Sequence, residues 1–404
     1  MWNIMRSFGV YIHIPFCIQK CAYCDFLSKP ATRQRQQAYV EALKREIAGE
    51  AVRYKGYRVE TLFFGGGTPS ILEAADIEGL LDCLRKYYII DGGTDTEITL
   101  EMNPKTADKS KLLRLKDLGI NRLSIGLQSA DNAQLKLLGR IHTYEDFVQT
   151  YCQAREAGFE NINVDLMSAL PGQNMESWID TLEKAAALQP EHISAYSLII
   201  EEGTRMHERL EEYPSMPDEE TDRQMYQMTK QILAQKGYRR YEISNYAKRG
   251  YECRHNRIYW QRGAEHTADY VGFGLGASST FGNVRWKNTD DMEKYLRFFA
   301  EHDIFDKDRQ SGTKRGAAES VKEEIQELSR NDCMEEFMFL GLRMTNGVSK
   351  SEFAKSFGDE ADKIYKDVLL KWTQQGMLVQ DGDRIRLTDA GIDVSNVVLA
   401  DFLL

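Results

Sequence analysis

"YIHIPFCIQKCAYCDF", residues 11–26, is the stretch whose reading decides the fold. A short β-branched and aromatic run, residues 11–16, leads into a loop holding Cys17, Cys21 and Cys24 in CxxxCxxC spacing. A strand ending in three thiols presents soft ligands at its C-terminal end. A structural zinc site closes with four ligands, commonly as two CxxC pairs. No fourth cysteine lies near, and His13 would have to turn back from the strand to serve. Iron–sulfur cubes are also thiolate-bound, normally by four cysteines. With three thiolates one iron keeps open positions for an exogenous ligand, and an open metal position marks a reactive site. Chemistry alone favours a cluster and leaves zinc and incidental cysteines as alternatives.

Working outward, similar runs recur to about residue 200. Strands are expected at 10–16, 59–66, 97–103, 122–128, 161–167 and 192–199, with amphipathic segments such as "QAYVEALKREIAGEAV", "DIEGLLDCLRKYY" and "MESWIDTLEKAAALQ" between them. Six β–α units in a row imply a parallel sheet with right-handed crossovers, open or rolled into a barrel. Side chains alternate faces along a strand. One face carries sets such as Ile98, Leu100 and Met102. The other carries Tyr11 and His13; Thr99, Glu101 and Asn103; Ser124, Gly126 and Gln128; Asn163 and Asp165; and His192, Ser194 and Tyr196. A filled eight-stranded barrel puts Val, Ile and Leu inside. Here helices on the apolar face would leave the polar face lining a wet lumen for a large polar ligand. A sheet with one face in solvent is the competing reading, although parallel sheets are rarely exposed that way.

The chain of 404 residues has a formal net charge of −10, which argues against nucleic acid as a main partner. Its seven cysteines, three of them in one loop, do not read as a secreted disulfide framework. The N-terminus lacks the pattern of a signal peptide, and no apolar run approaches a membrane span of ~18 residues. A cytoplasmic protein with reduced thiols is expected. After residue 200 a loop, a helix at about 218–236, a strand-like "YRRYEISNYA" and a glycine-rich turn "GFGLGASSTFG" are expected. Residues 303–325 read as a linker. Residues 326–404 read as a helix, helix, hairpin, helix unit of winged-helix pattern. Its helix "KDVLLKWTQQGMLVQ" is no more basic than an ordinary one, which favours a docking module over a DNA reader.

CxxxCxxC with an aromatic before the last cysteine, placed after the first strand, resembles the radical S-adenosylmethionine (SAM) signature. That resemblance implies a 4Fe-4S cluster on Cys17, Cys21 and Cys24, with SAM chelating the fourth iron. "YIHIPFC", "GGGTPS", "NRLSIGLQS", "LGRIHT" and "DLMSALPGQ" resemble the coproporphyrinogen-dehydrogenase-like branch, from about residue 8 to residue 290 and more weakly beyond. It implies SAM contacts at Tyr11, Tyr23, Gly66, Gly67, Thr68, Glu101, Gln128, Arg140 and Asp165. Glu101, Gln128 and Asp165 also belong to the polar set found by alternation alone. Within the branch, the dehydrogenases carry an N-terminal extension and an extra cysteine where this chain has Phe26. "YECRHNRIYW" is instead similar to the HNxxYW motif of the heme-chaperone (HemW) family, whose histidine is associated with heme and maps to His255. Imidazole is a common axial ligand of heme iron, and aromatic neighbours can cover the macrocycle. Cys253 is a competing soft ligand, and the long "QRGAEHTAD" segment brings His266 close in sequence.

The expected architecture is therefore a partial (β/α)6 TIM-like radical SAM barrel over 1–205, an extension carrying the motif over 206–302, the linker, and a smaller winged-helix-like α+β domain. The resemblance implies a heme chaperone with a 4Fe-4S cluster, SAM and heme. Its partners would be acceptor hemoproteins, including membrane-bound respiratory enzymes reached by peripheral membrane contact, and an electron donor such as flavodoxin or ferredoxin. If SAM is cleaved, one electron from the reduced cluster gives methionine and a 5′-deoxyadenosyl radical. Oxygen-independent coproporphyrinogen III dehydrogenase, oxidatively decarboxylating propionates to vinyls, is the alternative. A zinc-stapled barrel with a DNA-binding wing is a third reading.

Overall fold

The computed structural model describes residues 6–90, 95–261, 269–301 and 320–404. Its six expected strands are β1 (Ser7–Ile14), β2 (Arg58–Gly66), β3 (Glu97–Met102), β4 (Arg122–Gln128), β5 (Ile162–Ser168) and β6 (His192–Ser197). They pair in parallel and in chain order. β1 stops before the expected end, because Pro15 has no N–H to give the ladder. Helices α1 (Arg33–Glu50), α2 (Ala74–Tyr87), α3 (Lys109–Asp117), α4 (Tyr144–Glu156) and α5 (Met175–Ala187) follow β1 to β5. Their starts are set locally: Thr32 caps α1, and Thr143 with Asp146 forms a reciprocal capping box on α4.

The apolar face of the strands is the core. Val10, Ile12, Leu62, Phe64, Leu100, Leu123, Ile125, Val164 and Ile193 are sealed beneath these helices. Each such side chain contributes about 1.5–3 kcal/mol when fully buried.

Three expectations change. "GFGLGASSTFG" is no simple turn: it carries β8 (Tyr270–Phe273) and β9 (Ser278–Phe281), and β8 extends the parallel sheet beyond β1. Gly272 permits this, since a Cβ there would lie 2.5 Å from the Ser278 carbonyl. β10 (Val284–Asn288) and β11 (Lys322–Glu327) continue the sheet as antiparallel strands. The C-terminal end of the expected linker is thus a strand, whose charged sequence hides it. Residues 303–319 of that linker, and His266, lie outside the described residues. "YRRYEISNYA" holds only two short strands, of which β7 (Asn245–Ala247) is antiparallel to β6.

The C-terminal unit has its own core around Phe337, Phe353, Tyr365, Leu369, Ile385 and Phe402. A three-stranded antiparallel sheet of Val348–Ser349, Arg384–Leu387 and Leu378–Asp381 supplies the wing. The unit docks on the barrel extension through Arg240–Asp389 at 2.9 Å and the Glu242–Met344 bridge.

Candidate functional site

Register places the polar set in layers up the inside of the barrel. Tyr11, Phe63, Thr99 and Arg122 share one level. Glu101, Ser124, Asn163 and His192 form the next, and Gly126, Asp165 and Ser194 the one above. The expected wet lumen exists only in its upper part. Thr99, Arg122, Asn163 and His192 are at most 2 % exposed, so the lower part is packed and dry. Tyr11, Glu101 and Asp165 are half-buried, and Tyr196 is exposed.

The lower network has a fixed sense. Asn163 Nδ2 donates to Ser124 Oγ at 2.8 Å and to Asp165 Oδ1 at 2.7 Å. Its Oδ1 must then accept from His192 Nδ1–H, which leaves His192 Nε2 to accept from the Tyr241 hydroxyl at 2.8 Å. Burial lowers the pKa of His192, with Arg122 adding to the effect, so the ring is neutral. Asp165 is thereby held in one orientation by a relay that begins at Tyr241. The Tyr241 carbonyl also accepts from Thr345 N–H of the C-terminal unit.

Above the lumen lies the cysteine loop. Its base closes where Lys29 N–H donates to the Pro15 carbonyl and Cys17 N–H to the Lys29 carbonyl. Ala22 ties it across the barrel mouth, donating to the Leu138 carbonyl at 2.9 Å and accepting from Met206 N–H at 2.8 Å. Cys17, Cys21 and Cys24 are free thiols in this loop. Two of them face hydrogen-bond donors: Thr68 Oγ1 is 3.5 Å from Cys17 Sγ, and Arg140 Nη1 is 3.6 Å from Cys21 Sγ. Burial pushes the Cys24 thiol up to about 11. Such donors would stabilise ligating thiolates. Three free thiols in one loop are, by their chemistry, the donor set of a cluster with one open iron.

The upper lumen gathers glycines and polar side chains at the mouth of the barrel. Gly66 has φ +110° and its N–H donates to Glu101 Oε2 at 3.1 Å. A Cβ on Gly67 would strike the Phe16 backbone, and one on Gly126 would lie about 3 Å from Asn103, Gln128 and Arg140. These glycines keep the cradle open. Asn103 accepts from Arg140 and donates to Thr68 Oγ1 at 2.8 Å, so one side chain orients two expected contacts. Gln128 has φ +72° and accepts from the Tyr196 hydroxyl at 3.3 Å. Burial, then the Asp165 charge, raises Glu101 to about 8, and burial also raises Asp165. Two carboxyl groups whose ionisation is opposed by burial would gain from a cationic ligand, and SAM carries a sulfonium and an ammonium. Tyr11 adds an acceptor. His13 Nε2–H donates to the Leu27 carbonyl at 2.9 Å, so Nδ1 accepts from Tyr11 at 3.0 Å. Its oxygen lone pairs remain for the lumen. Tyr23 is half-buried beside Arg140, and burial raises its pKa.

His255 is not at this mouth. The HNxxYW motif forms helix α6 (Arg254–Trp260) at the opposite end of the barrel. Its first N–H groups, of Arg254 and His255, donate to Glu97 at 3.1 and 3.0 Å, and Glu97 begins β3. The His255 ring is 1 % exposed, with Nδ1 2.7 Å from Thr61 Oγ1 and Nε2 2.8 Å from the Tyr259 hydroxyl. Burial, helped by the Arg122 charge, lowers it to about 3. Both ring nitrogens are thus engaged inside the barrel, and the expected heme contact has no partner at this position. Cys253, the competing ligand, is also buried, and it donates to Glu97. Sequence reasoning assigned no role to Thr61, Phe63, Glu97, Arg122 or Tyr241. Alternation could have flagged the first four as lumen-facing, but nothing local marks Tyr241.

Comparison with known proteins follows the same lines. The Radical SAM superfamily model matches residues 11–185, and the HemN C-terminal domain model matches 328–394. "Heme chaperone HemW" of Lactococcus lactis is 35% identical, covering 99% of this chain and 98% of its own. The Escherichia coli protein of the same name is 32% identical with 98% of each chain covered. The bovine "Radical S-adenosyl methionine domain-containing protein 1, mitochondrial" is 32% identical over 98% of this chain and 87% of its own. Among solved structures, coproporphyrinogen III oxidase (HemN) from Escherichia coli superposes with a TM-score of 0.80 at 24% identity, covering 98% of this chain and 90% of its own. That likeness concerns the fold.

Proposed function

The chain belongs to the HemW family of radical SAM proteins, and from that premise we propose that it binds heme as cargo and delivers it to acceptor hemoproteins. Cys17, Cys21 and Cys24 hold the 4Fe-4S cluster. Tyr11, Tyr23, Gly66, Gly67, Thr68, Glu101, Gln128, Arg140 and Asp165 form the SAM cradle. The cluster, when bound, supplies one-electron reduction of the sulfonium. The chain's own residues orient the ligand and its charges: Glu101 and Asp165 face the cationic groups, Asn103 aligns Arg140 and Thr68, and His13 turns the Tyr11 oxygen inward.

The observation that carries this reading is near-full-length identity of 31–35% to heme chaperones from several bacteria, combined with a three-thiol loop over an acid-lined lumen. Acceptors among membrane-bound respiratory hemoproteins, and an electron donor of flavodoxin or ferredoxin type, complete the proposal. No helix among the described residues is long and apolar enough to cross a membrane. Anaerobic reconstitution followed by heme titration, with and without SAM, is the test. Saturable heme binding without turnover of coproporphyrinogen is expected. Vinyl product at catalytic rates would replace this function with the dehydrogenase.

A further inference from the structure

We propose that His255 is a positioning residue for the SAM lumen, supporting Tyr11 from below, and is not an axial ligand of heme. This rests on the SAM reading of the lumen given above. His255, Tyr259 and Trp260 of the family motif each have a structural task here. The His255 ring lies stacked with Phe63, centroids 5.0 Å apart, and with Tyr11 at 6.5 Å. Tyr259 holds its Nε2 and packs edge-on against Tyr270. Trp260 sits under the Arg343 guanidinium of the C-terminal unit at 4.4 Å.

The fit is built from both sides. Gly9 leaves room for the helix, since a Cβ there would lie 2.9 Å from Ile258, 3.0 Å from Thr61 Oγ1 and 3.4 Å from His255 Nδ1. Arg254 anchors the helix to Glu60 at 2.9 Å and to the Asp95 carbonyl at 2.8 Å. From above, Gly65 crowds Tyr11, because a Cβ there would be 2.9 Å from the Tyr11 ring. Tyr11 is thus held between Gly65 and the His255 stack, with its hydroxyl fixed by His13. An iron ligand needs a bare ring nitrogen facing space for a macrocycle. His255 offers neither. Removing its ring would open a void beneath Tyr11 and Phe63, and the Tyr11 oxygen would lose its fixed height in the lumen.

The test uses full-length protein reconstituted anaerobically, as wild type, His255→Gln and His255→Ala. Heme affinity and coordination are read from the Soret band, and SAM affinity from the change in the reduced cluster's EPR signal. His255→Gln keeps a donor and an acceptor at the floor. It should bind heme with the wild-type spectrum, within twofold in affinity, and bind SAM nearly as wild type does. His255→Ala should lose about tenfold in SAM affinity while its heme affinity is unchanged. Tenfold or greater loss of heme affinity in His255→Gln would overturn the proposal, as would undiminished SAM affinity in His255→Ala. If wild type itself binds no heme, the chaperone reading falls and the SAM arm still decides the role of His255. If SAM leaves the wild-type cluster signal unmoved, this inference falls with the SAM reading.

Discussion

Glu101→Gln is the substitution with the most consequences. Burial and Asp165 hold the Glu101 carboxyl at about 8, against 4.5 for the free group. At pH 7 about nine molecules in ten therefore carry the proton, and ionising it costs about 1.4 kcal/mol. A sulfonium and ammonium ligand favours the carboxylate, so binding drives that proton off. Wild-type SAM affinity should then rise about tenfold from pH 7 to pH 9, with its midpoint near the raised value of about 8. Calorimetry in buffers of different ionisation enthalpy should show about 0.9 proton released at pH 7 beyond that of the variant. Glu101→Gln removes this contribution, and whatever pH dependence survives belongs to the ligand or the cluster. The difference between the two profiles is the diagnostic. Superimposable wild-type and Glu101→Gln profiles would refute the placement of Glu101 against a cationic group.

Other outcomes follow from single residues. Cys24→Ser should lose the cluster's visible absorbance and labile sulfide while the far-UV circular dichroism is kept; a full iron and sulfide complement would remove Cys24 from the ligand set. Glu46 accepts from Tyr295, Gly274 N–H and Asn288, and burial raises it to about 7. A carboxyl raised above its unfolded value keeps its proton in the folded state, so stability should fall as pH rises from about 4.5 to about 7, by up to about 3 kcal/mol. Glu46→Gln should flatten that slope in denaturant titrations, and an unchanged slope would contradict the assignment.

The six barrel strands and their polar faces were legible because alternation is a local signal and both faces are strongly typed. Ile98, Leu100 and Met102 against Thr99, Glu101 and Asn103 is such a case. The strands around Gly272 and Gly274 were hidden, since glycine reads as a turn unless one knows that β1 and Ser278 pass too close for a side chain. "KEEIQE" pairs on a sheet edge despite its charge, because Lys322 and Glu323 find partners in Glu50 and Lys294. The lumen residues were found, but not which of them would be dry. That depends on α6, more than 150 residues from Glu97 in sequence, closing the barrel from below. His255 was legible as a special residue, while its burial was a tertiary fact.

The most direct measurement is the EPR spectrum of the reduced, reconstituted cluster recorded with and without SAM. An altered signal in the wild type, weakened by Glu101→Gln and absent in Cys24→Ser, is expected if an incompletely ligated iron opens onto the acid-lined lumen. A wild-type signal that SAM leaves untouched would contradict it.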